Sequence, residues 1–157
     1  MRIRWNSAVP LLCAALLLGG CSEADWGTDQ HGRPVAAAQL DGRWLVINYW
    51  AEWCGPCRKE VPELNRLASE LAAQPVRVLG VNFDGLQGEE LRKATAALGI
   101  AYTNLASDPA ARLGLTSSQV LPVTWLVDPQ GRVREQLAGE QTAAGLQEKL
   151  AALRAQP

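Results

Sequence analysis

The spacing of apolar and polar positions changes repeatedly along the chain, and each change marks an element. Trp44 to Trp50 is almost continuously apolar and rich in β-branched and aromatic residues, the pattern of a strand buried on both faces. From Cys54 to Ala73 the period becomes helical, with Val61, Leu64, Leu67, Ala68 and Leu71 on one face. Pro62 falls inside that run and predicts a kink, and Pro75 closes it. Val76 to Phe83 reads as a second buried strand, Gly88 to Leu98 as a helix stopped by Gly99, and Ile100 to Leu105 as a short strand. A short helix is expected from Asp108-Pro109 through Leu113, ending at Gly114. Val123 to Val127 is a third clear strand, followed by a tight turn at Asp128-Pro129-Gln130-Gly131 and a returning strand from Arg132 to Leu137. Thr142 is placed to cap a last helix whose Leu146, Leu150 and Leu153 share a face. Pro34 to Leu40 reads only as a weak strand or loop before the Asp41-Gly42 turn.

Strands alternate with helices and then give way to a hairpin and a helix. That order predicts an α/β domain with a mixed central sheet, parallel in its first part, and helices on both faces. The 157 residues are enough for one domain with an ordinary core, and 48% hydrophobic with 20% charged residues is a globular composition. A net charge of −1 excludes an obvious nucleic-acid partner.

The first residues have a different character. Met1 to Asn6 carries Arg2 and Arg4, Ala8 to Leu18 is almost wholly apolar, and Leu18-Gly19-Gly20-Cys21 follows. A basic start, a short apolar run and small residues make a bacterial export signal, and the run is too short for a comfortable membrane span. Leu-Gly-Gly-Cys resembles the lipobox of bacterial lipoproteins, in which the cysteine after the cut is lipidated. The expected organisation is therefore a signal peptide over 1–20, a lipidated tether over 21–32 that begins at Cys21, and a domain over 33–157. The domain is expected to face the periplasm, held to the inner or outer membrane. An uncleaved anchor or an ordinary signal peptide with an incidental cysteine is the alternative.

Four cysteines then resolve simply. Cys13 leaves with the signal, Cys21 is the expected lipid attachment point, and Cys54 and Cys57 remain. They lie in Trp53-Cys54-Gly55-Pro56-Cys57, between a strand-like and a helix-like run. A helix N-terminus presents free N–H groups and partial positive charge, which favours the reactive thiolate at Cys54. A two-residue spacer closes almost no loop, so in an oxidising compartment redox exchange fits this pair better than a structural staple. A zinc site needs two more ligands, and His31 is the sole histidine. Haem attachment needs a histidine after the second cysteine, where Arg58 stands. No metal and no cofactor beyond the redox-active pair is expected.

Ala51 to Cys57 resembles the active-site segment of thioredoxin nearly letter for letter. Leu121-Pro122, ahead of the Val123 strand, resembles that superfamily's cis-proline loop, and Pro62 matches the proline of its active-site helix. The resemblance covers about residues 33 to 154. The extra helix and strand between Phe83 and Gly114, with the exported N-terminus, make the chain most similar to the TlpA/ResA-like branch of extracytoplasmic thiol–disulfide oxidoreductases. It implies a thioredoxin-like three-layer α/β/α fold with an inserted helix and strand.

The resemblance also implies roles. Cys54 is the exposed nucleophile and Cys57 the partly buried resolving thiol, joined as a redox-active disulfide when oxidised. Pro122 is cis beside the sulfurs, and the Leu121 backbone pairs with an incoming peptide. Trp53, Gly55 and Pro56 belong to the partner-binding surface. One departure matters. Thioredoxin has a buried aspartate six residues before the first cysteine, and here that residue is Asn48, whose amide cannot titrate. Glu60, three residues after Cys57, matches a glutamate of ResA-like proteins and is assigned as acid/base for Cys57; the alternative is a solvated first-turn glutamate. Trp50 is expected in the core, Trp26, Trp44 and Trp125 carry no assigned role, and Glu52 is read as solvated. Arg58 and Lys59 favour the Cys54 thiolate only weakly, because exposed charges are screened.

The expected function is reduction of disulfides in exported proteins, with cytochrome c maturation as one pathway. Electrons would come from an unidentified membrane donor, and the protein is expected to be monomeric. Gly-Pro between the cysteines is the dipeptide of thioredoxin, a reductant at about −270 mV. The alternatives are a disulfide oxidase or isomerase, a carrier that binds Cu(I) through the two thiols and, less favoured, a peroxidase.

Overall fold

The computed structural model describes residues 26–116 and 120–156. In chain order the elements are α1 (Ala37–Leu40), β1 (Trp44–Trp50), α2 (Gly55–Glu70), β2 (Val76–Asn82), α3 (Gly88–Ala97), β3 (Thr103–Leu105), α4 (Ala110–Leu113), β4 (Val123–Val127), β5 (Val133–Ala138) and α5 (Ala143–Arg154). The strand expected from Ile100 is confined to Thr103–Leu105, and the weak strand expected over Pro34 to Leu40 is instead the short helix α1. Helix α2 runs on through Pro62. Thr142 caps α5, its Oγ1 accepting from the Gly145 N–H.

Five strands form one mixed sheet in the order β3-β2-β1-β4-β5. β1, β2 and β3 are mutually parallel neighbours, and β4 runs antiparallel to both β1 and β5. Central β1 is buried at all seven positions, which explains its unbroken apolarity. Alternate side chains part to opposite faces. Trp44, Val46 and Trp50 join a core with Val61, Leu64 and Leu67 of α2, Leu91 of α3 and Leu146 of α5. Leu45, Ile47 and Tyr49 join a second core with Trp26, Leu40, Val123 and Trp125. The cover is unequal: three long helices pack on the first face, while among the described residues the second is covered by α1, α4, the segment 26–35 and the loop residues Leu115 and Leu121.

That segment corrects the tether expected over 21–32. Trp26, Asp29 and Gln30 are buried. The Ala106 N–H donates to the Thr28 carbonyl, and Asp29 bridges to Leu105 in antiparallel fashion, so the segment shields the edge of β3. Gln30 Oε1 accepts from the Asn104 N–H at 2.8 Å, and its Nε2 donates to the Tyr102 carbonyl at 3.3 Å. The Trp26 indole N–H donates to Asp41, and Arg112 lies over its ring at 4.8 Å. The polar composition that suggests a tether here includes Asp29 and Gln30, which are buried and hydrogen-bonded within the docked segment. The export signal and Cys21 lie outside the described residues.

Candidate active site

β1 ends at Trp50, and the chain turns through Ala51 to Trp53 into α2, with the Cys54 N–H donating to the Ala51 carbonyl. Cys54 is the N-cap of α2, and the Cys57 N–H points at its sulfur at 3.2 Å. An N–H dipole aimed at this sulfur stabilises negative charge there when the bond to Cys57 is open. In the structure Cys54 and Cys57 are joined as a disulfide. The expectation of an exposed Cys54 is corrected: it is 4% exposed and Cys57 is 1% exposed. Bonded to its partner, Cys54 packs into the first core with Trp50 and Ala51. The exposed surface around the pair belongs to Trp53, Gly55 and Pro56.

The Leu121–Pro122 bond is cis, as expected. Register places this loop at the same end of the sheet as the disulfide, because Tyr49 pairs with Val123 and so Pro122 lies level with the end of β1. Pro122 is buried, its carbonyl accepting from the Gly139 N–H at 2.9 Å, and half-buried Leu121 packs against both cores.

Glu60 is 1% exposed, which excludes the solvated alternative. Its Oε2 accepts from Asn48 Nδ2 at 2.8 Å and its Oε1 from the Gln141 N–H at 2.9 Å. Asn48 Nδ2 also donates to Thr124 Oγ1 at 3.1 Å. Burial raises the Glu60 carboxyl to a pKa of about 7; the Gln141 and Asn48 donors oppose that shift and the nearby Glu140 charge adds to it. An acid that titrates near neutrality inside a closed core can take up or release a proton at working pH.

Trp53 is 65% exposed. Its indole N–H donates to the Asp84 carboxylate, and its ring meets Phe83 edge-on at 6.3 Å between centroids. The Arg58 guanidinium donates to the Glu52 carbonyl, and among the described residues it pairs with no carboxylate. Sequence reasoning missed Thr124, Gln141, Phe83 and Asp84. They come from three separate segments, Phe83-Asp84, Thr124 and Gln141, and carry no motif. Among the described residues no group of three or more His, Cys, Asp or Glu could hold a metal ion.

These features define a thioredoxin-like α/β domain with a helix-capping disulfide beside a cis-proline loop. The AhpC/TSA family model matches residues 22–136, and the chain belongs to that family. It is 33% identical over 119 residues to the thiol:disulfide interchange protein HelX of Rhodobacter capsulatus, covering 74% of this chain and 65% of that protein. It is 28% identical over 120 residues to the thiol-disulfide oxidoreductase ResA of Bacillus thuringiensis, covering 76% and 69%. This chain thus spans about two thirds of the length of those relatives. A crystal structure of a thiol:disulfide interchange protein of the thioredoxin family from Chlorobium tepidum matches with a TM-score of 0.68 at 23% identity, over 80% of this chain and 90% of that one, a likeness of fold. The resemblance drawn from the Ala51 to Cys57 segment is borne out.

Proposed function

We propose that this protein is a thiol–disulfide oxidoreductase of the extracytoplasmic space, tethered through Cys21, that reduces disulfides of exported proteins. The observation that carries the reading is the Cys54–Cys57 disulfide at the start of α2, with the Cys57 amide directed at Cys54 sulfur. In the dithiol form, Cys54 thiolate attacks one sulfur of a substrate disulfide. A Cys54–substrate bond forms, and the substrate's other sulfur leaves as a thiolate and takes a proton. Cys57 then gives its proton to Glu60 and attacks Cys54 sulfur, which re-forms the Cys54–Cys57 bond and expels the second substrate thiolate. Two electrons pass from protein to substrate, and a donor must return them. Glu60 suits the proton step because it is buried three residues from Cys57 and titrates near neutrality. Trp53, Gly55, Pro56 and the Leu121 backbone form the surface met by the substrate. The names of HelX and ResA support the thiol–disulfide class, and an apocytochrome's disulfide-bonded cysteines are one substrate within it.

Equilibration with a glutathione redox buffer tests the direction. A reduction potential near −270 mV supports a reductant, and one near −120 mV assigns an oxidase instead. Tight one-to-one Cu(I) binding without reduction of an insulin disulfide would replace the enzyme reading with a carrier.

A further inference from the structure

The thin cover over the second core leaves a cleft of about 180 Å3 at the end of the sheet where β1 and β2 finish and β4 starts. Tyr49, Val123 and Trp125 are its buried floor, and Phe83, Leu115 and Asp108 are among its more open lining. Two features connect it to the redox pair. Phe83, half exposed, packs its ring on Trp53, next to Cys54. Val123 follows the cis Pro122. The cleft therefore lies on the second-core face between the Phe83 and Val123 segments, which adjoin Trp53 and Pro122.

Its size and chemistry select an occupant. At about 180 Å3 it is smaller than the roughly 300–1,000 Å3 of small-molecule sites and has room for a single large side chain. Among the described residues Asp108 is the only charged one in the lining. Its Oδ1 is held by the Tyr49 O–H at 2.6 Å and the Ala110 N–H at 2.8 Å, and Asp84 adds a second carboxylate beside Trp53. An apolar slot with an acidic edge suits a segment that is apolar at one position and basic beside it.

We propose that this cleft is the specificity pocket for a polypeptide substrate. It takes one bulky aliphatic or aromatic side chain near the target cysteine, with a neighbouring Lys or Arg of the same segment on Asp108. This rests on the oxidoreductase reading and names the substrate class for it.

The test uses the dithiol form of the protein and disulfide-bonded peptides that differ only near the cysteine, with Leu or Ser at one position and Lys or Glu at the next. Hydroxyethyl disulfide, which has no side chain to place, serves as a control for the chemistry. The Leu-Lys peptide should be reduced about tenfold faster than the Ser-Lys peptide, the range for one apolar group in a pocket. That ratio should fall to about twofold in Phe83→Ser and in Leu115→Ser. The preference for Lys over Glu should vanish in Asp108→Asn. Equal rates for Leu and Ser peptides, or a ratio unchanged in both pocket variants, overturn the pocket while leaving the oxidoreductase intact if hydroxyethyl disulfide is reduced. No reduction of any of these disulfides overturns the underlying reading.

Discussion

Asn48 Nδ2 donates a 2.8 Å hydrogen bond to Glu60 Oε2, joining the central strand to the active-site helix within the core. The same nitrogen donates to Thr124 Oγ1, two residues beyond the cis Pro122, so one neutral amide ties α2 to both sides of the site. An aspartate at position 48 would face Glu60 as a second acid. The asparagine keeps Glu60 as the one carboxyl of this hydrogen-bonded group, and burial outweighs its two N–H donors to leave it protonated well above the usual carboxylate range.

Stability should therefore fall as pH rises through the range set by Glu60. Its folded pKa of about 7 lies above the ordinary 4.5, so the folded state binds the proton more tightly than the unfolded state. The contribution is complete below about pH 4.5, declines to about pH 7 and is flat above. At about 1.4 kcal/mol per pH unit the whole effect is at most about 3.5 kcal/mol. Buried Asp29 and Asp128 act oppositely: their arginine and backbone partners outweigh burial and lower both pKa values, so their contribution is lost only in stronger acid. Urea unfolding at pH 5, 6, 7 and 8 should show the decline in the natural chain and a flatter profile in Glu60→Gln. Parallel profiles would remove Glu60 as the titrating group.

Asn48→Asp should convert the pair into two carboxylates that share one proton. Folding should lose about 3–5 kcal/mol at pH 8, where an uncompensated buried charge remains, and less than half of that at pH 5. A pH-independent loss would mean that the substitution acts through packing alone.

Cys57→Ser should leave the Cys54 thiol without its resolving partner. After reaction with a disulfide-bonded substrate, non-reducing electrophoresis should show a stable mixed disulfide that dithiothreitol releases. Cys54→Ser should form none. Absence of an adduct, with Cys54 inert to alkylation at neutral pH, would count against the exchange mechanism.

Trp26→Ala should cost about 3–5 kcal/mol, the range for emptying a buried aromatic site. A chain that starts at Pro34 should lose at least as much, because it also removes the Gln30 bonds to β3. Thermal melts of both against the natural chain decide this; unchanged melts would return the segment to the role of a tether.

The disulfide pair was legible because two cysteines, two spacer residues and a strand-to-helix junction sit within one short stretch. Pro122 was legible only through family resemblance, since nothing local distinguishes a cis from a trans X–Pro bond. Glu60 was found through the resemblance to ResA-like proteins, with helical spacing placing it on the Cys57 side, but its burial was not, because exposure depends on what packs over that helix face. Asn48 was noticed as a departure, whereas its partners Glu60 and Thr124 meet it only across the sheet and helix.

By itself, the sequence determined the element order from β1 onward, the strand–turn–helix setting of Cys54 and Cys57, and the mixed sheet. These follow from local periodicity, backbone propensity and connection rules. Tertiary structure alone decided that Cys54 is covered in the disulfide, that Trp26 to Gly32 is part of the domain, that Glu60 titrates near neutrality and that a cleft opens beside Phe83. Each depends on desolvation or contact between segments far apart in the chain, and no local pattern records which groups the fold will place together.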